Sequence, residues 1–341
     1  MSQLTEARFY SKRNDAENTV DCFLCNHRCA VKDGQRGMCR VRENRGGKLY
    51  TLTYGRLISG NPDIIEKKPL YHFLPGTRAY SIATPGCNFR CPWCQNWQIS
   101  QTDSHAEFTG IPYTSPEQVV DNAVSTNCKS ISYTYTEPTI FMEFALDTAR
   151  IAKDKGLKNN FVTNGYESPE AVEKMSGLID AANIDLKSFS EKMYRTECCA
   201  NLNKVTETIR NMHSKGIHLE ITTLIIPGKN DSAKELSDLA HFISGLSPDI
   251  PWHVSRFHPD YETTEISPTP EATMTHAIQL GRDAGLNHIY AGNINIPEAV
   301  TTKCPQCDHI LINRGGLGAP QINISDAHCP QCRRPVNIVM H

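Results

Sequence analysis

The chain has 341 residues, 39% hydrophobic and 21% charged, which suits a folded globular protein and is too apolar for disorder. Thirty-five Lys and Arg nearly balance 37 Asp and Glu, leaving no basic surplus for wrapping nucleic acid. The opening MSQLTEARFYSKRND lacks the apolar core of a signal peptide. No run reaches the ~18 apolar residues of a membrane span, so the reading is cytoplasmic, without a membrane.

Taken in order, residues 1–75 form a Cys-rich extension ending in a Gly/Pro-marked connector. Its stretch DCFLCNHRCAVKDGQRGMC spaces Cys22, Cys25, Cys29 and Cys39 as C-x2-C-x3-C-x9-C, with His27 and His213 as substitute ligands. Without a signal peptide such a cluster reads as a metal site, structural zinc first, and not as a disulfide framework. Residues 76–299 then alternate. Extended runs at 80–86, 130–136, 158–165, 181–187, 218–228, 251–259 and, more weakly, 288–293 are separated by helical patterns. Several of these patterns start at a Ser, Asp or Asn cap and end at Gly. Alternating strand and helix implies parallel strands with crossovers, and six or seven units suit an α/β partial barrel of (β/α)6 type, a reduced TIM barrel.

In such a barrel, chemistry gathers where strands end. Cys87 follows the first extended run, Glu137 the second and Asn164 the third; Asp185 and Lys187 close the fourth, and His253, Arg256 and His258 lie on or after the sixth. The loop PGCNFRCPWCQNWQIS holds Cys87, Cys91 and Cys94 as C-x3-C-x2-C with no fourth ligand beside them. A structural zinc takes four protein ligands, so three thiolates serve it poorly. A four-iron cluster held by three leaves one iron open for a substrate or cofactor. A zinc site completed by a distant His and an accidental grouping are the competing readings. Residues 300–341 form a tail in which CPQC recurs, Cys304 with Cys307 and Cys329 with Cys332. This is zinc-ribbon spacing, and a rubredoxin-like iron site has similar ligands. Cys128, Cys198 and Cys199 fall outside the clusters and read as buried or incidental thiols.

The string CNFRCPWCQN, with aromatic Trp93 between two cysteines, resembles the signature of radical S-adenosylmethionine (SAM) enzymes. It is most similar to the branch that contains pyruvate formate-lyase activating enzymes. The likeness continues through YTYTEP, VTNGY, DLKSF, IIPGKND, HVSRFHPDY and YAGN. With both flanking cysteine clusters, the chain resembles the AmmeMemoRadiSam-system radical SAM family. The resemblance implies a [4Fe–4S] cluster on Cys87, Cys91 and Cys94, whose open iron is chelated by SAM. It implies SAM contacts by Trp93, Thr136, Glu137, Asn164, Gly165, Asp185, Lys187 and His253, with Asn293 matching a late motif. The family's Gly-Gly-Glu-like motif is replaced here by Tyr135-Thr136-Glu137-Pro138. For Asp185 and Lys187, a barrel-lining ion pair is the plain alternative. Related activating enzymes carry Cys-rich inserts, so an auxiliary iron–sulfur cluster joins zinc as a reading of the N-terminal extension.

The implied reaction is reductive cleavage of SAM to methionine and a 5′-deoxyadenosyl radical, which abstracts hydrogen from a substrate. The electron would come from a donor such as flavodoxin or ferredoxin. In an activating enzyme the hydrogen comes from a glycine Cα of a protein partner. Modification of a small molecule or peptide alongside AMMECR-like and Memo-like partners is the alternative. A metal-binding interaction module without catalysis, or an electron-transfer protein, is the reading from another class.

Overall fold

The computed structural model describes residues 4–13, 18–315 and 319–340. The alternating runs build one open sheet of eight strands: β1 (Ser59–Ile64), β2 (Arg78–Ala83), β3 (Ser130–Tyr133), β4 (Lys158–Thr163), β5 (Ala181–Asp185), β6 (His218–Ile225), β7 (Trp252–Arg256) and β8 (Ile289–Gly292). The strands lie side by side in chain order. β1 is antiparallel to β2, and every later pair is parallel. Helices α1 (Pro116–Ser125), α2 (Met142–Asp154), α3 (Pro169–Met175), α4 (Leu202–Ser214), α5 (Ala233–Leu246) and α6 (Glu271–Asp283) fill the intervals from β2 to β8. Six strand–helix units followed by a further parallel strand make the expected partial TIM barrel. Among the described residues, no helix is long and apolar enough to cross a membrane.

The helices start where capping chemistry tells them to. Ser115, Ser168, Asn201 and Ser232 each accept a backbone N–H of the first turn, and Ser115 forms a reciprocal capping box with Gln118 behind Pro116. Each such cap is worth about 1 kcal/mol. The inner faces of the helices then bury apolar stripes, for example Val119, Val120 and Ala123 on α1 and Leu236, Leu239, Ala240 and Ile243 on α5. Inside the barrel, polar side chains pair between neighbouring strands. Ser132 Oγ donates to Asn160 Oδ1 at 2.6 Å, and Thr222 Oγ1 to Asn183 Oδ1 at 2.9 Å.

The connector does more than join. Its first part is β1, the antiparallel edge strand, which the sequence reading did not contain. Residues 69–74 then close the barrel at the end where the strands begin. The backbone N–H groups of Tyr71 and His72 donate to the Glu220 carboxylate at 2.9 and 2.7 Å, and Asn183 Nδ2 donates to the Pro69 carbonyl at 2.7 Å. The N-terminal extension holds two three-stranded antiparallel sheets and shares the barrel's core. The tail has a small core of its own, Leu311, Ile312, Ile324, Val336 and Ile338 around Cys304 and Cys329. It touches the barrel floor through Val339, whose N–H donates to the His72 carbonyl at 2.7 Å.

Candidate functional site at the strand-end rim

The rim where β2 to β8 end surrounds a cavity of about 320 Å³. Its lining includes Cys87, Cys91, Trp93, Cys94, Thr136, Glu137, Asn164, Asp185 and Lys187, so four strand ends far apart in sequence meet there. The three-cysteine loop is held from several sides. Phe89 packs edge-on against Tyr166 at 5.2 Å, the Arg90 guanidinium donates to the Cys87 carbonyl at 3.0 Å, and Asn96 Nδ2 donates to the Tyr135 carbonyl at 2.9 Å. Tyr135 takes a left-handed φ of 65° to present that carbonyl. Its hydroxyl donates to Asp63, which also accepts from Lys67 and Lys68. Burial opposes ionisation of Asp63, but these donors outweigh it and hold the carboxyl at about 2.

Burial raises the Cys87 and Cys94 thiols above their ordinary range, with the Glu137 charge adding at Cys87. Cys91 is raised first by its contact with Cys198, whose sulfur lies 3.7 Å away, and then by burial. Cys198 is a buried thiol, as its sequence position allowed, and it touches a cysteine of the rim loop. It ends a π-helical turn, Tyr194–Cys198, that no spacing in the sequence announces. Lys187 Nζ is 3.0 Å from Asp185. Burial disfavours its charge, yet Asp185 and the Cys91 and Cys198 sulfurs outweigh that and keep it protonated. Trp93 is buried in the cavity wall with Lys229 Nζ 5.9 Å above its ring.

Glu137 lines the cavity but is largely spoken for. Its Oε1 accepts from Thr139 N–H, Thr139 Oγ1 and Thr163 Oγ1 at 3.0, 2.5 and 2.8 Å, and its Oε2 from Asn164 N–H at 2.8 Å. It ties β3 to β4, which is a different task from the expected ligand contact. Thr163 Oγ1 also lies 2.7 Å from Glu167 Oε1. One hydroxyl has one proton to give, so the second contact needs a proton on a carboxyl. Burial, then the Glu137 charge, push Glu167 up to about 8, which makes it the neutral acid of the pair.

Two expected contacts are not brought to the cavity. Gly165 has φ 71°, and a Cβ there would meet Ile184 at 2.7 Å, so the glycine serves helix–strand packing behind the rim. His253 lies one layer down, its Nε2 2.7 Å from Glu220 and its ring 4.9 Å from Tyr71 of the floor. Burial opposes the Glu220 charge, but hydrogen bonds from His218 and His253 hold that carboxyl well below the usual range. Of the late motif residues, Asn293 does line the cavity, joined by Ser255 and Thr222. His27 is engaged by the Asn88 carbonyl at 2.8 Å, and neither it nor His213 lines the cavity among the head cysteines.

The tail cysteines converge. Cys304 and Cys332 sulfurs are 3.5 Å apart, Cys307 and Cys329 3.6 Å, and all four lie within 4.8 Å of one another. Tetrahedral zinc–thiolate bonds of ~2.3 Å imply sulfur separations of about 3.8 Å. Among the described residues, no other group of three or more Cys, His, Asp or Glu is gathered this tightly.

Residues 81–243 match the family described as the radical SAM superfamily. An uncharacterized protein of Methanocaldococcus jannaschii is 42% identical over 342 residues, covering 99% of this chain and 100% of the relative. A protein of the same organism named a putative glycyl-radical enzyme activating enzyme is 26% identical, covering 46% of this chain and 64% of its own length. A radical SAM methyltransferase of Sphaerobacter thermophilus shares the fold with a TM-score of 0.52 at 13% identity, over 92% of this chain and 82% of that one. The family works with a [4Fe–4S] cluster and SAM. The rim fits such groups: three thiols face one cavity, and buried Asn164 Oδ1 at its wall has no protein partner. Common fold, matched segment and full-length relative lead to one statement: the chain belongs to the radical SAM superfamily.

Proposed function

We propose that the protein reductively cleaves SAM and uses the resulting radical to take a hydrogen atom from a partner polypeptide, in the manner of glycyl-radical activating enzymes. The observation that carries it is the union of Cys87, Cys91 and Cys94 with Asp185 and Lys187 on one cavity. When bound, a four-iron cluster reduced by an external one-electron donor would supply that electron to the sulfonium of SAM, breaking its S–C5′ bond to give methionine and the 5′-deoxyadenosyl group that takes the substrate hydrogen. Cys87, Cys91 and Cys94 are the residues to hold the cluster. Lys187, kept charged by Asp185, offers a donor to the SAM carboxylate, and Asp185 an acceptor to its hydroxyl or amino groups. Trp93 supplies an apolar face for the adenine. Asn164 positions its free Oδ1 on the same wall while its Nδ2 donates to Asn88 Oδ1 at 2.7 Å. Glu137 braces the rim, and the buried wall limits water. An activating-type substrate is supported by relatives named for that activity, at 26% and 25% identity. The tail cysteines we assign to zinc, on their tetrahedral spacing.

The test is anaerobic turnover with a one-electron reductant, counting 5′-deoxyadenosine, and electron paramagnetic resonance for an organic radical on a co-purified polypeptide. Lys187→Ala should keep the iron and weaken SAM binding by about ten- to a hundredfold, the worth of a charge-assisted hydrogen bond of roughly 1.5–3 kcal/mol. Lower thermal stability with SAM affinity unchanged would reduce the Lys187–Asp185 pair to a structural ion pair.

A further inference from the structure

One turn of the chain grips the three-cysteine loop from outside the cavity lining. It is the π-helical segment Tyr194–Cys198, which ends at Cys199 with a left-handed φ of 56°. Turns of this kind are rare and gather at functional sites. Here the turn meets the loop residue by residue. Phe89 packs edge-on against Tyr194 with ring centres 6.3 Å apart, the Arg90 N–H donates to the Cys198 carbonyl at 3.3 Å, and the Cys91 and Cys198 sulfurs lie 3.7 Å apart. Trp93 lies under Lys229 Nζ, which pairs with Glu197 of the turn at 2.8 Å. On the other side, the Lys187 N–H donates to the Tyr194 hydroxyl at 3.0 Å, so the same turn also braces the end of β5.

The sulfur contact decides what Cys198 does. Between two thiols either sulfur is free to donate. A Cys91 sulfur bonded to iron carries no proton, so the S–H of Cys198 becomes the donor. The other two sulfurs of the loop have donors in place as well. Cys87 accepts from the Phe89 N–H at 3.3 Å, and the Cys94 sulfur lies 3.2 Å from the Ser100 hydroxyl. Each of the three thiolates is thus met by one donor of its own: a backbone amide, a thiol and a hydroxyl. Cys198 is fully buried and does not line the cavity, which sets it behind Cys91 and away from the position left for SAM. A hydrogen bond to a cluster thiolate stabilises the reduced state, where the sulfur carries more negative charge, and so raises the reduction potential.

We infer that Cys198 is a positioning residue for the cluster, donating its S–H to the iron-bound sulfur of Cys91 and thereby easing reduction by the external electron donor. This role rests on Cys87, Cys91 and Cys94 holding the cluster, and the measurement separates the two. Full-length protein is reconstituted anaerobically with iron and sulfide, and the electron paramagnetic resonance of the reduced cluster is followed against a solution potential set with mediators. The signal followed is the one that disappears in Cys87→Ala/Cys91→Ala/Cys94→Ala. If no signal depends on those three residues, the rim reading fails and the role of Cys198 fails with it. Cys198→Ala should keep its iron and, at the wild-type midpoint, lower the ratio of reduced to oxidised cluster by about two- to tenfold. Cys198→Ser, which restores a hydroxyl donor, should return the ratio to the wild-type value or above it. An unchanged ratio in Cys198→Ala overturns the role. So does an equal fall in the Ala and Ser variants, which places the effect in packing, and so does loss of iron from Cys198→Ala, which makes the residue a ligand. Should Cys198→Ala not fold, Cys198→Val fills the space without a donor and is read in the same way.

Discussion

The two ends of the molecule use the same number of cysteines in opposite ways. In the tail, two C-x2-C knuckles bring four sulfurs within 4.8 Å around a small core of their own, and polar contacts such as Asn337 with His72 fasten it to the barrel floor. In the head, an irregular spacing sets four sulfurs around a void, and the surrounding residues merge with the barrel core. Equal spacing makes a compact knot whose sulfurs sit in a core of their own. Uneven spacing makes a site whose walls are borrowed from elsewhere, here Ile140 and the Arg42–Glu143 pair. A metal at the tail should therefore matter to local folding, and one at the head to the neighbouring site.

The largest expected effect is at the tail. Cys304→Ser/Cys329→Ser should abolish zinc binding and, because structural zinc contributes about 10–16 kcal/mol of binding free energy to folding, unfold residues 302–338. Hydrogen exchange should show protection lost there and retained in β2 to β8, with iron content unchanged. A protected tail without metal would end the contrast. Next comes the seam of the head. Arg42→Met leaves the fully buried Glu143 carboxylate without its cation and should cost about 3–5 kcal/mol in denaturant unfolding. Arg42→Met/Glu143→Leu should recover most of it, and failure to do so would place the energy in the cavity instead of the ion pair.

The smallest effect is a pH dependence confined to the same seam. Glu167 pairs with Cys25 in an isolated bridge, and its carbonyl accepts Asn26 Nδ2 at 2.8 Å. Its folded pKa of about 8 lies above the ordinary 4.5, so the folded state holds a proton that the unfolded chain has released between those values. Its contribution is therefore fully present below pH ~4.5 and lost as pH rises through ~8. Glu167→Gln, neutral throughout, should remove this slope and gain roughly 1–3 kcal/mol over wild type above pH 8. Equal slopes for both proteins would show that the Glu167 carboxyl ionises without cost.

The parallel strands, their helices and the three cysteine clusters were legible because each depends on local periodicity or spacing. Depth was not. Inward and outward faces can be read from alternation along β7, but nothing in WHVSR says that Ser255 reaches the cavity while His253 stops at Glu220 one layer below. The connector was opaque for a related reason. Its path is set by Glu220 and Asn183, well over a hundred residues downstream, and GNPDIIEKKPLYHFLPG carries no period of its own. The contact of Cys198 with Cys91 was not legible because a π-helical turn, invisible to spacing rules, makes it.

The floor has a bearing on how the molecule is made. His72 accepts from Val339 N–H through its carbonyl and meets the Asn337 carbonyl with Nδ1 at 2.9 Å, across a separation of 265 residues. Arg314 lies 4.4 Å over the Tyr71 ring and donates to Thr302. A nascent chain emerging from the ribosome can pair β1 to β8 in sequence, each strand beside the last. Residues 69–72 can be laid beneath them once Asn183 and Glu220 are made, and the clasp to Asn337 and Val339 is added after that. The same segment carries Lys67 and Pro69 to the rim cavity. One continuous stretch, residues 67–74, is thus clasped from below by the tail and faces the reactive cavity above it.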